Sequence, residues 1–162
     1  MTKFLSGKGI ISSYAKTYLE AAKKYRISEV YLAAHSALET DNGTSELAKG
    51  VEVGGVKVYN MYGINANDKD PIGDGSRYAY KMEWTSPGKA IDGGAKWISE
   101  NFINSSSYMQ NTLYKMRWNP DSPGEHQYAT DIGWAVKQTS TIKKMYDSFP
   151  NASLKFDIPV YD

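Results

Sequence analysis

One stretch constrains this chain more than any other. Ser28-Glu29-Val30-Tyr31-Leu32-Ala33-Ala34-His35-Ser36-Ala37-Leu38-Glu39-Thr40 is helical in pattern and small or apolar on more than one face. It is expected as a buried central helix, with Ser28 as N-cap and Glu29 in the first turn. Asp41-Asn42-Gly43 follows at once. Glu39 therefore stands in the last turn of a helix that belongs inside. A charge there is costly unless something compensates it or it holds a proton. Desolvation raises a carboxyl pKa, and a raised pKa suits a general acid near neutral pH. Taken alone, Glu39 also fits a surface acid at a fraying helix end.

The remaining elements frame that helix. Ile10, Ile11, Tyr14, Ala15, Tyr18, Leu19, Ala22 and Tyr25 recur at three-four spacing and predict an amphipathic helix of roughly four turns. Val51 to Val58 around Gly54-Gly55 is a hairpin signal. Asn65 to Ser76 is expected as an irregular loop, and Tyr78-Ala79-Tyr80 as a second short strand. Ser86-Pro87 starts a helix running to Phe102. Gly93-Gly94 inside it weakens the helix and suggests that another backbone passes close by. Asn111 to Trp118 is expected as a short helix, and Asn119 to Gly124 as a loop. Thr130 or Asp131 is expected to cap a last long helix. The fold class is mainly α with a small β element (α+β). Residues 1–150 form one domain, and 151–162 a tail or linker.

Composition excludes several functions. With 19 Lys+Arg against 18 Asp+Glu, no basic footprint for nucleic acid exists. No run of 18 apolar residues predicts a membrane span. The chain has no cysteine, which removes disulfides, thiol catalysis and structural Cys-zinc sites. His35 and Glu39 share a helix face, but the only other histidine is His126 and no H-E-x-x-H motif exists, so no metal is expected. Ser36 sits in no G-x-S-x-G elbow. The 13 Tyr and 4 Trp suit a saccharide groove as well as a core. Trp118 and Trp134 are candidates for either place, with the core preferred.

Three ordered motifs carry a resemblance. His35 to Ala48 is similar to the "ALLET-x-x-G-x-S-x-LA" signature of the bacterial cell-wall glucosaminidases, glycoside hydrolase family 73. Asn60-Met61-Tyr62-Gly63-Ile64 resembles that family's "N-[LMF]-[FY]-G-I" motif, and Tyr128-Ala129-Thr130-Asp131 its "YATD" motif. Gln110 to Pro120 resembles the glucosaminidase domains of clostridial and staphylococcal autolysins more closely still. The similarity spans about Tyr14 to Tyr146.

The resemblance implies a lysozyme-like fold and an endo-β-N-acetylglucosaminidase that cuts peptidoglycan after N-acetylglucosamine, without a cofactor. The same fold class leaves a muramidase, a lytic transglycosylase or a non-catalytic cell-wall binding module as alternatives. Glu39 is then the general acid, and Tyr128 the residue that positions the substrate acetamido group or offsets charge. Asn60, Tyr62, Gln127, Asp131, Glu52 and Asp68 are the candidate substrate-binding residues, with Tyr62 expected to stack on sugar and Gly63 to permit a tight turn. Glycosidases usually pair two carboxyls, and Glu52, Asp68, Asp70 and Asp74 are the candidate seconds. Met1-Thr2-Lys3-Phe4-Leu5 is no signal peptide. The expected setting is a monomeric domain of a longer secreted protein acting on the bacterial cell wall, with the signal peptide on the parent.

Overall fold

The computed structural model describes residues 1–149, 151 and 153–160. Helices α1 (Thr2–Leu5), α2 (Ala15–Tyr25), α3 (Glu29–Glu39), α4 (Glu46–Lys49), α5 (Pro71–Lys81), α6 (Pro87–Ile98), α7 (Leu113–Trp118) and α8 (Trp134–Tyr146) are accompanied by one hairpin, β1 (Val51–Val53) and β2 (Val56–Val58). The mainly α architecture with a minor sheet is the one expected.

Helix α3 is the axis of the fold. Every residue from Val30 to Ala37 is buried, against α2 on one side and α8 on another. The Tyr18 and Ser36 hydroxyls share a 2.6 Å hydrogen bond that ties α2 to α3 inside the core. Ser28 caps α3 as expected, its hydroxyl accepting from the Tyr31 N–H at 3.3 Å. Four further helices start the same way, with Ser45, Asp70, Ser86 and Thr112 each accepting the N–H three residues on. At the far end the Thr40 hydroxyl donates to Ser36 O at 2.6 Å and accepts from the Gly43 N–H at 2.8 Å. Asp41, Asn42 and Gly43 then all take positive φ and turn the chain away. Glu39 is thereby fixed as the last helical residue.

The hairpin is antiparallel, pairing Val51 with Val58, Glu52 with Lys57 and Val53 with Val56. Its turn residues Gly54 and Gly55 both have φ above zero, as a tight two-residue hairpin turn requires. Helix α5 packs on both strands.

Five expectations need correction. The first helix is not continuous: Gly9–Ser13 is a 3₁₀ turn and the α-helix begins only at Ala15. Residues 65–70 are irregular as expected, but the rest of the expected loop to Ser76 and the expected strand at Tyr78-Ala79-Tyr80 are displaced by α5. Asp70 caps that helix and Pro71 opens it, and its buried face of Gly75, Ser76 and Ala79 overrides the poor helix propensity of its glycines. Gly93 and Gly94 make room for side chains rather than a backbone: a Cβ at Gly93 would meet the Trp84 indole, and one at Gly94 the Tyr62 ring. The last helix is capped at Gly133, while Asp131 braces the preceding turn by accepting from the Gly133 N–H at 2.9 Å.

Of the expected tail over 151–162, residues 151 and 153–160 are described. Residues 153–160 carry no regular secondary structure and are exposed. Lys115 Nζ reaches Asp157 Oδ2 at 3.2 Å.

Gly94→Ala sets two effects against each other. Ala favours a helix by about 1 kcal/mol, but its methyl collides with a fully buried aromatic ring. Overpacking of that kind costs about 1–3 kcal/mol. A net loss of about 1–2 kcal/mol is expected in thermal melts, and a raised melting temperature would show that Tyr62 yields freely.

Candidate active site

A cleft of about 560 Å³ opens at the C-terminal end of α3. One wall is Tyr62, Gly63 and residues 65–68; the other is residues 127–131 with Trp134 and Lys137 of α8. Leu38 and Glu39 form its floor.

Glu39 is gripped on one oxygen. The Trp134 indole N–H donates to Oε1 at 2.9 Å. His35 Nε2 lies 3.5 Å from the same oxygen. The other oxygen, Oε2, lies beside Gly63, where a Cβ would come within 2.7 Å of it. Gly63 also has φ +63°, so the glycine both makes the turn and leaves space for the carboxyl. The Glu39 side chain keeps 23% of its surface exposed, whereas His35 keeps none. The acid is thus anchored from inside and open on one side.

Each wall is held by a polar hub. Asn60 Nδ2 donates to Ile64 O at 2.8 Å and Gly75 O at 3.3 Å. Its Oδ1 accepts from Tyr62 N at 3.3 Å and Ile64 N at 3.2 Å. Those four bonds use the whole capacity of the amide. Asn60 is therefore a buried brace and not the expected substrate contact. Tyr62 is corrected as well. Its ring is fully buried in the gap left by Gly94, so it cannot stack on a sugar. It contributes its carbonyl, which accepts the Tyr128 hydroxyl at 3.0 Å.

The hub of the other wall is Arg117, a residue to which the sequence reading attached no role. Its guanidinium is buried and donates to Gln127 Oε1 at 2.9 Å, Thr130 O at 2.9 Å and Asp131 O at 2.8 Å. The 127–131 segment owes its shape to these bonds. No sequence signal gives such a role away, because its acceptors are two backbone carbonyls and an amide rather than a carboxylate. Trp118 belongs to neither expected place: it is 37% exposed, does not line the cleft, and covers Arg117, whose guanidinium lies 4.2 Å from its ring centre. Trp134, expected in the core, is buried and also serves the site through its N–H.

Tyr128 lines the cleft, half-buried, its ring stacked on Trp134 and edge-on to His35. Burial pushes its phenol well above the usual range, so it stays protonated. Gln127 lines the cleft with its Oε1 already engaged by Arg117. Asp131 also lines it, and its Lys137 and Gly133 partners hold its carboxyl below the usual range.

Of the four candidate second carboxylates, only Asp68 lines the cleft. The Thr130 hydroxyl contacts Asp68 Oδ2 across it at 3.4 Å. Glu52 points outward from β1, opposite Lys57, because side chains alternate along a strand and its neighbours Val51 and Val53 take the inner face. Asp70 caps α5 and pairs with Arg77, and Asp74 pairs with Arg77 and Asn67. His126 is bonded to Gln110 at 2.7 Å and stacked on Tyr108, away from His35. Among the described residues no group of three His, Cys, Asp or Glu is placed to hold a metal ion. Among them, too, no helix is long and apolar enough to cross a membrane.

Comparison with known proteins places this geometry. The family model Glucosaminidase, described as mannosyl-glycoprotein endo-beta-N-acetylglucosaminidase, matches residues 15–147. A beta-N-acetylglucosaminidase of Bacillus subtilis (strain 168) is 49% identical over 159 residues, which are 98% of this chain and 18% of that protein. The crystal structure of Staphylococcus aureus Autolysin E in complex with the muropeptide NAM-L-Ala-D-iGlu matches with a TM-score of 0.82 and 46% identity, over 91% of this chain and 65% of that one. A catalytic glutamate-to-alanine mutant of Autolysin E in complex with the disaccharide NAG-NAM matches with a TM-score of 0.82 and 45% identity over the same 91% and 65%. The chain therefore spans under a fifth of the B. subtilis relative and just under two thirds of the Autolysin E chain. Matched along most of its length, and folded around the same lysozyme-like core, the chain belongs to the Glucosaminidase family, glycoside hydrolase family 73.

Proposed function

We propose that this domain is a peptidoglycan hydrolase, an endo-β-N-acetylglucosaminidase that cuts the glycan strand after N-acetylglucosamine. The observation that carries it is Glu39, a lone carboxyl at the floor of the cleft with one oxygen anchored and the other open. The related structures hold a muropeptide and a NAG-NAM disaccharide, and the mutated catalytic residue in one of them is a glutamate. The parent is read as a longer secreted protein acting on the bacterial cell wall, with residues 1–150 as a monomeric catalytic domain and 151–162 as its linker.

Glu39 delivers its proton from Oε2 to the glycosidic oxygen as the bond to the anomeric carbon breaks. The positive charge that develops is met in one of two ways. Asp68 directs a water, or the substrate's own acetamido oxygen closes on the anomeric carbon. Tyr128 serves the second route. Its hydroxyl hydrogen is committed to Tyr62 O, so its oxygen is left to accept the acetamido N–H. Gln127 and Asp131 offer polar contacts along the same wall.

Glu39→Gln keeps the shape and removes the proton. Lysis of cell walls is expected to fall by at least about 10²–10⁴-fold, with the melting temperature retained. Mass spectrometry of the muropeptides released by the unaltered domain reads the cut: reducing-end N-acetylglucosamine is expected. Reducing muramic acid would make it a muramidase, and anhydromuramic ends a transglycosylase. No release at all would leave a binding module.

Amide variants separate the two routes. Glu52→Gln, Asp70→Asn and Asp74→Asn are each expected to keep at least roughly a tenth of the activity, because none of them reaches the cleft. A loss at Asp68→Asn as severe as at Glu39→Gln assigns Asp68 the water, whereas a mild one leaves the acetamido route.

Gly63→Ala tests the open side of the acid. The new methyl would sit against Oε2, and a positive φ is strained for alanine. Turnover is expected to drop more than tenfold with a stability loss of about 1–2 kcal/mol. Unchanged turnover in initial-rate assays would mean that Oε2 does not need that space.

A further inference from the structure

Resting on the reading of Glu39 as the acid, we propose that His35 is the positioning residue that decides which oxygen of Glu39 carries the proton, and that Tyr31 sets the histidine tautomer that does it. His35 is fully buried among four rings, with centroids 5.2 Å from Tyr31, 5.6 Å from Tyr62, 4.8 Å from Tyr128 and 5.4 Å from Trp134. Its Nδ1 and the Tyr31 hydroxyl are 2.7 Å apart. Its Nε2 is buried without a hydrogen-bond partner and lies 3.5 Å from Glu39 Oε1.

Donor accounting fixes the tautomer. Burial, with the Glu39 charge adding to it, holds the Tyr31 phenol well above its usual range, so the hydroxyl keeps its hydrogen. That hydrogen needs an acceptor, and among the described residues the hydroxyl bonds only Nδ1. Were Nδ1 protonated, two hydrogens would compete for one contact and Nε2 would present a lone pair to a carboxylate oxygen. With Nδ1 bare, Tyr31 donates to it and Nε2 carries a hydrogen aimed at Oε1. Oε1 then faces two N–H groups, from His35 and Trp134, and the proton belongs on Oε2, on the cleft side.

The 3.5 Å separation matters for the chemistry. It is too long for a full hydrogen bond. As the proton leaves Oε2, charge grows on the carboxyl and the Nε2–H contact strengthens. An interaction stronger in the transition state than in the ground state raises kcat rather than lowering KM. Around Glu39 the other ionisable groups are Tyr31 on α3, Tyr62 and Asp68 on one wall, and Tyr128, Asp131 and Lys137 on the other. None of these six pairs with a Glu39 oxygen; among the described residues His35 is the ionisable group that does.

The direct test is the ring ¹⁵N spectrum of the resting domain, with the two histidines assigned by a His126→Asn variant. The expected pattern is an unprotonated Nδ1 and a protonated Nε2 for His35; the reverse pattern overturns the proposal whatever the activity. His35→Phe keeps the ring and removes the N–H. It is expected to lower kcat roughly tenfold to a hundredfold with KM essentially unchanged. The alkaline limb of kcat/KM should move up, because a donor favouring the carboxylate is gone. His35→Gln, with an amide N–H near the place of Nε2, should restore most of the rate. A folded His35→Phe protein with normal kcat and an unmoved limb overturns the proposal. Should that variant not fold, Tyr31→Phe decides: the proposal requires a mixed tautomer and a shifted limb, and unchanged spectra and profile defeat it. Residual lysis by Glu39→Gln would instead defeat the reading of Glu39 itself, so the two failures are distinct.

Discussion

The bond from the Trp134 indole N–H to Glu39 Oε1 is the contact on which the site depends. It joins the last turn of α3 to the first residue of α8, across 95 residues of sequence. A hydrogen bond contributes about 0.5–1.5 kcal/mol net, and more as charge develops on its acceptor. Here it also offsets the desolvation of a carboxyl at the end of a buried helix, which would otherwise favour pulling that end out into water. Helix α8 packs on α3 along its length, and the indole is the point where that packing turns into electrostatics. The same ring stacks on Tyr128 and meets His35 edge-on. One side chain thus sets the acid, the wall and the buried histidine in a common frame.

The cleft walls are irregular backbone, and irregular backbone must find partners for its N–H and C=O groups. Two buried side chains supply them. Asn60 closes the 60–64 turn with three bonds and ties it to α5 with a fourth, in a turn where Gly63 takes positive φ. Arg117 gathers two carbonyls and an amide oxygen of the 127–131 segment rather than bonding a carboxylate. A guanidinium is suited to this because its donors form a rigid planar fork. The walls meet at Tyr128 and Tyr62, through one hydroxyl and one carbonyl. Stiffness near the acid therefore comes from a few saturated polar groups, not from sheet or helix.

The readable parts of the chain were those whose signal is local. The Ser28 and Ser86 caps, the Gly54-Gly55 turn and the apolar run of α3 each follow from neighbours in sequence, and each is where it was expected. Glu39 was legible for the same reason: a charge in an apolar run is visible in one dimension. What was hidden depends on contacts between distant segments. The glycines of α5 argue against a helix until Gly75 is seen packed under Leu47. Tyr62 looks like a sugar platform until Gly94 is seen to leave a slot for its ring. Asn60 and Tyr62 sit in a functional motif, yet both act by shaping the chain. A motif thus marks the neighbourhood of a site more reliably than it marks the groups that touch substrate.

The two oxygens of Glu39 are in opposite environments, and the cause is geometric. A residue in the last turn of a helix has its own helix on one side and open space on the other. The inner oxygen meets what the core can offer, which here is an indole N–H and an imidazole buried to zero exposure. The outer oxygen meets whatever closes the turn opposite, and that position is a glycine with no side chain to fill it. Moving the carboxyl two to four residues back, to the buried positions 35–37, would lose the open side. Moving it forward, to the reversed backbone of Asp41 and Asn42, would lose the inner donors. Position 39 is where a single carboxyl keeps both an anchor and an outlet, and this is the arrangement a lone proton donor needs: fixed in direction, shielded on one face, and free on the face from which the proton must leave.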